Sequence, residues 1–187
     1  MDPFASPAEL ATYLQSATQV EADAGSGDVL ETGVATQALA AASGAIRAAC
    51  GWSVSQETVS GTVSWASGSC VFLPTLYLTA VSMSVGATAL VAGTDFTWST
   101  NGLLRRAAFG RFSLDTVAIT YTHGYATIPD AVKAVCLERA AQQVVNPLQM
   151  ASSTVGGVVD VYRRADAPGG DLATDPRLAP FLLPAVG

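Results

Sequence analysis

The chain changes its hydrophobic period twice. Residues 7–17 and 33–50 space their apolar side chains for one face of a helix. Residues 53–125 alternate apolar and small polar positions, as strands do, and residues 129–145 return to the helical period. The first helix starts at "SPAEL". Ser6 caps free N–H groups, Pro7 suits the first helical position, and Glu9 stands three residues after the cap. Leu10, Tyr13, Leu14 and Ala17 form its apolar side. "ADAGSGD", residues 22–28, reads as an exposed loop. The second helix is alanine-rich. Val34, Leu39, Ala42, Ile46, Ala49 and Cys50 give it an imperfect stripe, and Gly51 is placed to end it in a left-handed cap. Trp52 follows and is expected to be covered.

The alternating stretch divides into short strands. "ETVSGTVSW", "SCVFLP" and "LYLTAVSMSV" come first, "GATALVAGTDFTW" reads as paired strands with glycine turns, and "NGLLRR" predicts a hairpin at Asn101-Gly102. "LDTVAITYTH" supplies a final strand. The third helix opens at Pro129-Asp130. It carries Val132, Val135, Cys136, Ala140 and Val144 inside with Lys133 and Glu138 outside, and stops at Asn146-Pro147. "SSTVGGVVDVYRR" predicts a short strand or an extended docking segment. The proline- and glycine-rich remainder argues against a regular helix, while its apolar "FLLP" argues for a tail packed on its own core or on a neighbour. The fold class is α+β, a small helical core with a β-rich insertion and an extended C-terminal arm. Residues 1–52 hold the first core helices, 53–125 the insertion, 126–147 the last core helix and 148–187 the C-terminal arm or docking segment.

Composition narrows the function classes. Only 13% of the 187 residues are charged, against about 25% in a typical soluble domain. A surface so poor in charge suits contacts between subunits. The net charge is −6, and six acids precede the first base, Arg47. No basic stripe is present of the kind that neutralises phosphates. Acidic protein can surround DNA without gripping it. Cys50, Cys70 and Cys136 are widely spaced and predict reduced, largely buried thiols. No secretion signal and no apolar run of membrane-spanning length is read, so no membrane partner is expected.

Candidate chemistry is sparse. His123 is the only histidine. A small enzyme using His123 as base and Asp130 as its orienting group lacks an independent nucleophile and oxyanion site, so His123 is read as a strand-end residue that fills a turn or makes a local hydrogen bond. Gly124 beside it suits a sharp change of direction. Neither zinc spacing, a calcium loop nor a phosphate loop is present. The chain is expected to use no metal, no cofactor and no catalytic residue. Arg105, Arg106 and Arg111 form the strongest basic cluster, and Arg163-Arg164 a weaker one. A nucleic-acid-binding module built on the first cluster is the alternative, with Trp98, Phe109 and Phe112 near enough to stack or, more simply, to pack.

The ordered segments "ASPAELATYL" (5–14), "ALAAASGAIRAACGW" (38–52), "LPTLYLTAV" (73–81), "GTDFTWSTNGLLRR" (93–106) and "VAITYTHGYATIPDAVKAVCLERAAQQVVNP" (117–147) resemble the head-to-tail connector proteins of long-tailed phages, also called adaptor or head completion proteins. The resemblance covers residues 4–165. It implies a ring, commonly of twelve copies, beneath the portal protein at the capsid vertex. Such a ring extends the channel for double-stranded DNA, which passes without sequence-specific binding, and meets a stopper or tail-completion protein. The location implied is the virion neck, assembled in the host cytoplasm. Another phage neck or tail-completion protein with a related core is the nearest alternative. A C-terminal arm reaches the portal in such proteins, which makes Tyr162, Arg163, Arg164, Phe181, Leu182 and Leu183 candidate partner-binding residues beside Arg105, Arg106 and Arg111.

Overall fold

The structure, a computed structural model, describes residues 2–17, 32–64, 70–107, 116–145, 152–155, 158–161 and 171–184. The chain divides into two compact units. One comprises Met1–Cys50 with Ile128–Leu182, the other Gly51–Thr127 with Leu183–Gly187.

The first unit holds helices α1 (Pro7–Ala17), α2 (Thr32–Cys50) and α3 (Asp130–Val145) and a two-stranded ribbon, β8 (Ser152–Val155) with β9 (Val158–Val161). Helix α1 begins where Ser6 and Glu9 cap it reciprocally. The Ser6 N–H donates to Glu9 Oε2 at 2.7 Å and the Glu9 N–H donates to Ser6 Oγ at 3.3 Å. Leu10, Leu39, Ile46, Val132 and Val135 are fully buried among these helices. Val34, expected in the α2 stripe, is 46% exposed. Stepping back from Leu39 by four reaches Ala35, which is buried, so Val34 falls off the inward face. The N-terminal segment is strapped down by a buried polar chain. The Phe4 N–H donates to Ser43 Oγ at 2.9 Å, Ser43 lies 3.4 Å from Cys136 Sγ, and the Arg47 guanidinium sits 4.3 Å over the Phe4 ring.

Lys133 and Glu138, expected outside α3, are partly covered and paired. Lys133 meets Glu9 at 2.8 Å and Glu138 meets Arg177 at 2.8 Å. Arg177 also holds Asp175 at 2.7 Å, and Leu178 is completely buried, so residues 171–182 pack within the helical unit. The expected arm or docking segment is thus docked on its own unit over these residues. It contains the β8–β9 ribbon and a docked segment ending in a single 3-10 turn, Ala179–Phe181. Just before that turn, the Arg177 N–H and Nε–H donate to Asp175 Oδ1 at 2.9 and 3.1 Å.

The second unit is built on two antiparallel sheets. Strands β1 (Glu57–Ser64), β7 (Thr116–His123), β3 (Leu78–Val85) and β4 (Thr88–Leu90) form one in that spatial order, and β2 (Cys70–Phe72), β6 (Leu103–Arg106) and β5 (Phe96–Trp98) the other. Leu73, Leu78, Met83, Phe96, Leu104, Val117, Ile119 and Tyr121 make their common core. The "GATALVAGTDFTW" segment does not fold into one pair of strands as expected. Its first strand closes a hairpin with β3, and its second joins β6 in the other sheet. The Asn101-Gly102 hairpin between β5 and β6 does form.

Gly51 ends α2 with φ +77°. Gly124 has φ +89°, and a Cβ there would collide with the Ser55 carbonyl oxygen, so only glycine fits the turn after β7. That turn closes the unit on itself. The Tyr125 N–H donates to the Val54 carbonyl at 2.8 Å and the Gln56 N–H to the Tyr125 carbonyl at 3.0 Å.

Candidate functional site

His123 ends β7 opposite Glu57 of β1 and Leu78 of β3. It is 4% exposed, with its ring 5.3 Å from Tyr121 and 6.2 Å from Trp52. Burial pushes its pKa below the ordinary value, and the Glu57 charge opposes that only in part. Its Nδ1 is buried with no hydrogen-bond partner. The imidazole is thus a neutral packing group in an aromatic cluster, without the local hydrogen bond offered as one reading of it. Among the described residues, no three His, Cys, Asp or Glu side chains gather as metal ligands.

The basic cluster is taken apart by the strand that carries it. Neighbouring residues on a strand point to opposite faces. Arg105 is exposed in the row Thr97–Arg105–Cys70, while Arg106 is half-buried opposite the buried Phe96. Arg111 lies outside the described residues, as do Tyr162, Arg163 and Arg164. In the C-terminal segment, Phe181, Leu182 and Leu183 are each half-buried, and Leu183 lies against Gly51. Part of the apolar "FLLP" surface is therefore taken up by the chain itself. Cys50 and Cys136 are buried, with the Cys50 thiol pushed up to about 11 by burial, but Cys70 is exposed, contrary to the expectation for a buried thiol. On β2, Cys70 stands on the outer face beside Phe72, which is 73% exposed.

A second candidate surface escaped sequence reasoning. One face of the β1–β7–β3 sheet makes the core. The other carries Thr58, Ser60 and Thr62 from β1, Ala118, Thr120 and Thr122 from β7, and Ala80, Ser82 and Ser84 from β3. All nine are small and none is charged, whereas a solvated sheet face ordinarily carries lysine or glutamate. Hydroxyls bond across the strands, Thr58 with Thr122 and Ser60 with Thr120, each at 2.9 Å. Thr79 and Ser82 donate to the carbonyls of Thr122 and Thr120. Many of the hydroxyls thus bond within the sheet, leaving a neutral surface of small side chains. The signal was present as the small polar half of the alternation in "TVSGTVS" and "ITYT", where it served only to identify strands.

No protein-family model matches the chain, and no curated protein sequence does. Among solved structures, the chain matches one from the neck of an empty GTA particle (a phage-like gene transfer agent), computed with C6 symmetry. The identity is 19%, over 97% of this chain and 91% of that one, with a TM-score of 0.61. The two share a fold along nearly their whole lengths.

Proposed function

We propose that this chain is a structural component of the neck of a phage or phage-like particle, and within it the adaptor between head and tail. Copies assemble as a ring beneath the portal protein, twelve by the family resemblance. The ring extends the DNA channel and presents its far side to a stopper or tail-completion protein. The work is mechanical, and no bond is made or broken. The observation that carries this reading is the fold shared with a neck chain over 97% of the present sequence. The neutral hydroxyl face and the scarcity of charge agree with it. Such surfaces are consumed between subunits, and they neither attract phosphates nor strip their counterions.

The nucleic-acid-binding alternative loses ground because Arg105 and Arg106 lie on opposite faces of β6. Cryo-electron microscopy of the particle neck tests the proposal. A ring of this chain directly below the portal is the expected result. The chain found instead deeper in the tail would overturn the adaptor role and favour a tail-completion protein. A gel-shift titration of the purified chain against duplex DNA addresses the alternative, with no tight, steeply salt-dependent complex expected.

A further inference from the structure

Among the described residues, two strand edges with no strand beside them stand out. Strand β1 bonds to β7 through one edge, and among the described residues no strand covers its other edge. This is the longest edge strand among the described residues. The other edge strands of the two sheets, β2, β4 and β5, span three residues each. From Thr58 to Val63 it carries no charge, no proline and no break in register, so it lacks the usual protections of an exposed edge. The second belongs to the β8–β9 ribbon, whose strands, among the described residues, pair only with each other. A lone two-stranded ribbon is marginal in water and gains stability from a third strand.

We infer that the β8–β9 ribbon of one copy adds, through β9, to the free edge of β1 in a second copy, extending its four-stranded sheet. The inference rests on the ring proposed above and says what joins its members. Antiparallel addition is the favoured sense, because every pairing within that four-stranded sheet is antiparallel and parallel pairs are slightly less stable per residue. Asp160 is the ribbon's only charge, so nothing in either strand repels the other. The donor surface and the acceptor surface are different parts of the chain, which makes the contact head-to-tail. Repeated head-to-tail contacts close into a ring or run on as a filament. Main-chain bonds of this kind supply affinity without large apolar side chains on the accepting strand, consistent with a β1 rich in serine, threonine and glycine.

The test uses two full-length versions, both carrying Cys70→Ser. One has Thr62→Cys on β1, the other Val159→Cys on β9 and a size tag. They are mixed and oxidised, alone and with purified portal protein, while mass measurement follows assembly. A mixed disulfide dimer, well above that formed by Ala40→Cys on α2 with Val159→Cys, is expected. Moving the β1 cysteine to Ser60 sets the register. If rings assemble but no position from 58 to 62 cross-links to any from 158 to 161, the ribbon contact is wrong and the ring stands. If the chain assembles in neither setting, the ring and the ribbon contact both fall. Cross-linking of β9 to the portal alone would assign the ribbon to that protein and overturn the inference.

Discussion

Replacing Glu9 separates two contacts made by one carboxylate. Oε2 accepts from the Ser6 N–H and hydroxyl, and Oε1 accepts from Lys133 of α3. Lys133 first, then the Ser6 bonds, pull the carboxyl down from 4.5 to about 2. Taken at face value that is about 3 kcal/mol. The Glu9 side chain is 42% exposed, so solvent screening reduces the ion pair to about 0.5 kcal/mol. The cap contributes about 1 kcal/mol. Glu9→Ala should therefore cost about 1.5 kcal/mol at pH 7. Glu9→Gln retains an acceptor for the Ser6 N–H and should cost about 0.5 kcal/mol. The folded pKa lies below the unfolded one. The contribution is thus complete above pH 4.5 and is lost as pH falls through about 2, a slope the glutamine variant should lack. Urea denaturation followed by far-UV circular dichroism across that range measures both. Equal stability and equal pH slope for wild type and Glu9→Gln would show that the Lys133 contact contributes nothing. Equal cost for glutamine and alanine would show that reach-back capping does not need the retained acceptor.

Three further outcomes are expected. Leu178→Ala should cost about 2–5 kcal/mol, because Leu178 is fully buried, and should make the C-terminal segment cleavable in limited proteolysis; unchanged stability would mean that the segment does not dock. His123 is depressed by burial, so its contribution is complete above pH 6.5 and is lost as pH falls toward its lower folded value; His123→Phe should flatten that part of a stability-versus-pH curve, and an unaltered curve would contradict the assignment. A thiol reagent should modify Cys70 in the folded protein and reach Cys50 and Cys136 only after unfolding, as mass spectrometry of the labelled chain will read.

The helices were legible because their signals are local. Ser6, Pro7 and Glu9 lie within one turn, and the structure begins α1 at Pro7. The strands were legible from period two, and the hairpin at Asn101-Gly102 from its turn residues. Pairing was not legible, since β7 is last in its unit yet lies between β1 and β3, and nothing in either strand names its neighbour. Neighbours in sequence need not be neighbours on one surface, as the arginine pair shows. Strand alternation separates Arg105 from Arg106. The hydroxyl face was missed for a related reason. Serine and threonine at every second position reveal a strand, but their shared surface exists only once three strands are aligned in register.

The closure of the sheet unit at Val54, Gln56 and Tyr125 bears on how the chain reaches its fold. The helical unit is interrupted by everything from Gly51 to Thr127. Joining α2 to α3 across a flexible loop of that length would carry about 4 kcal/mol of closure entropy. If the sheets form first, the bonds at Tyr125 have already brought the two strands of chain together. The helices then search for each other across a short gap. A sequence that reads as an interruption thus shortens the effective loop, and the slow step expected on this route is the placing of β7 between β1 and β3, the longest-range strand pairing among the described residues.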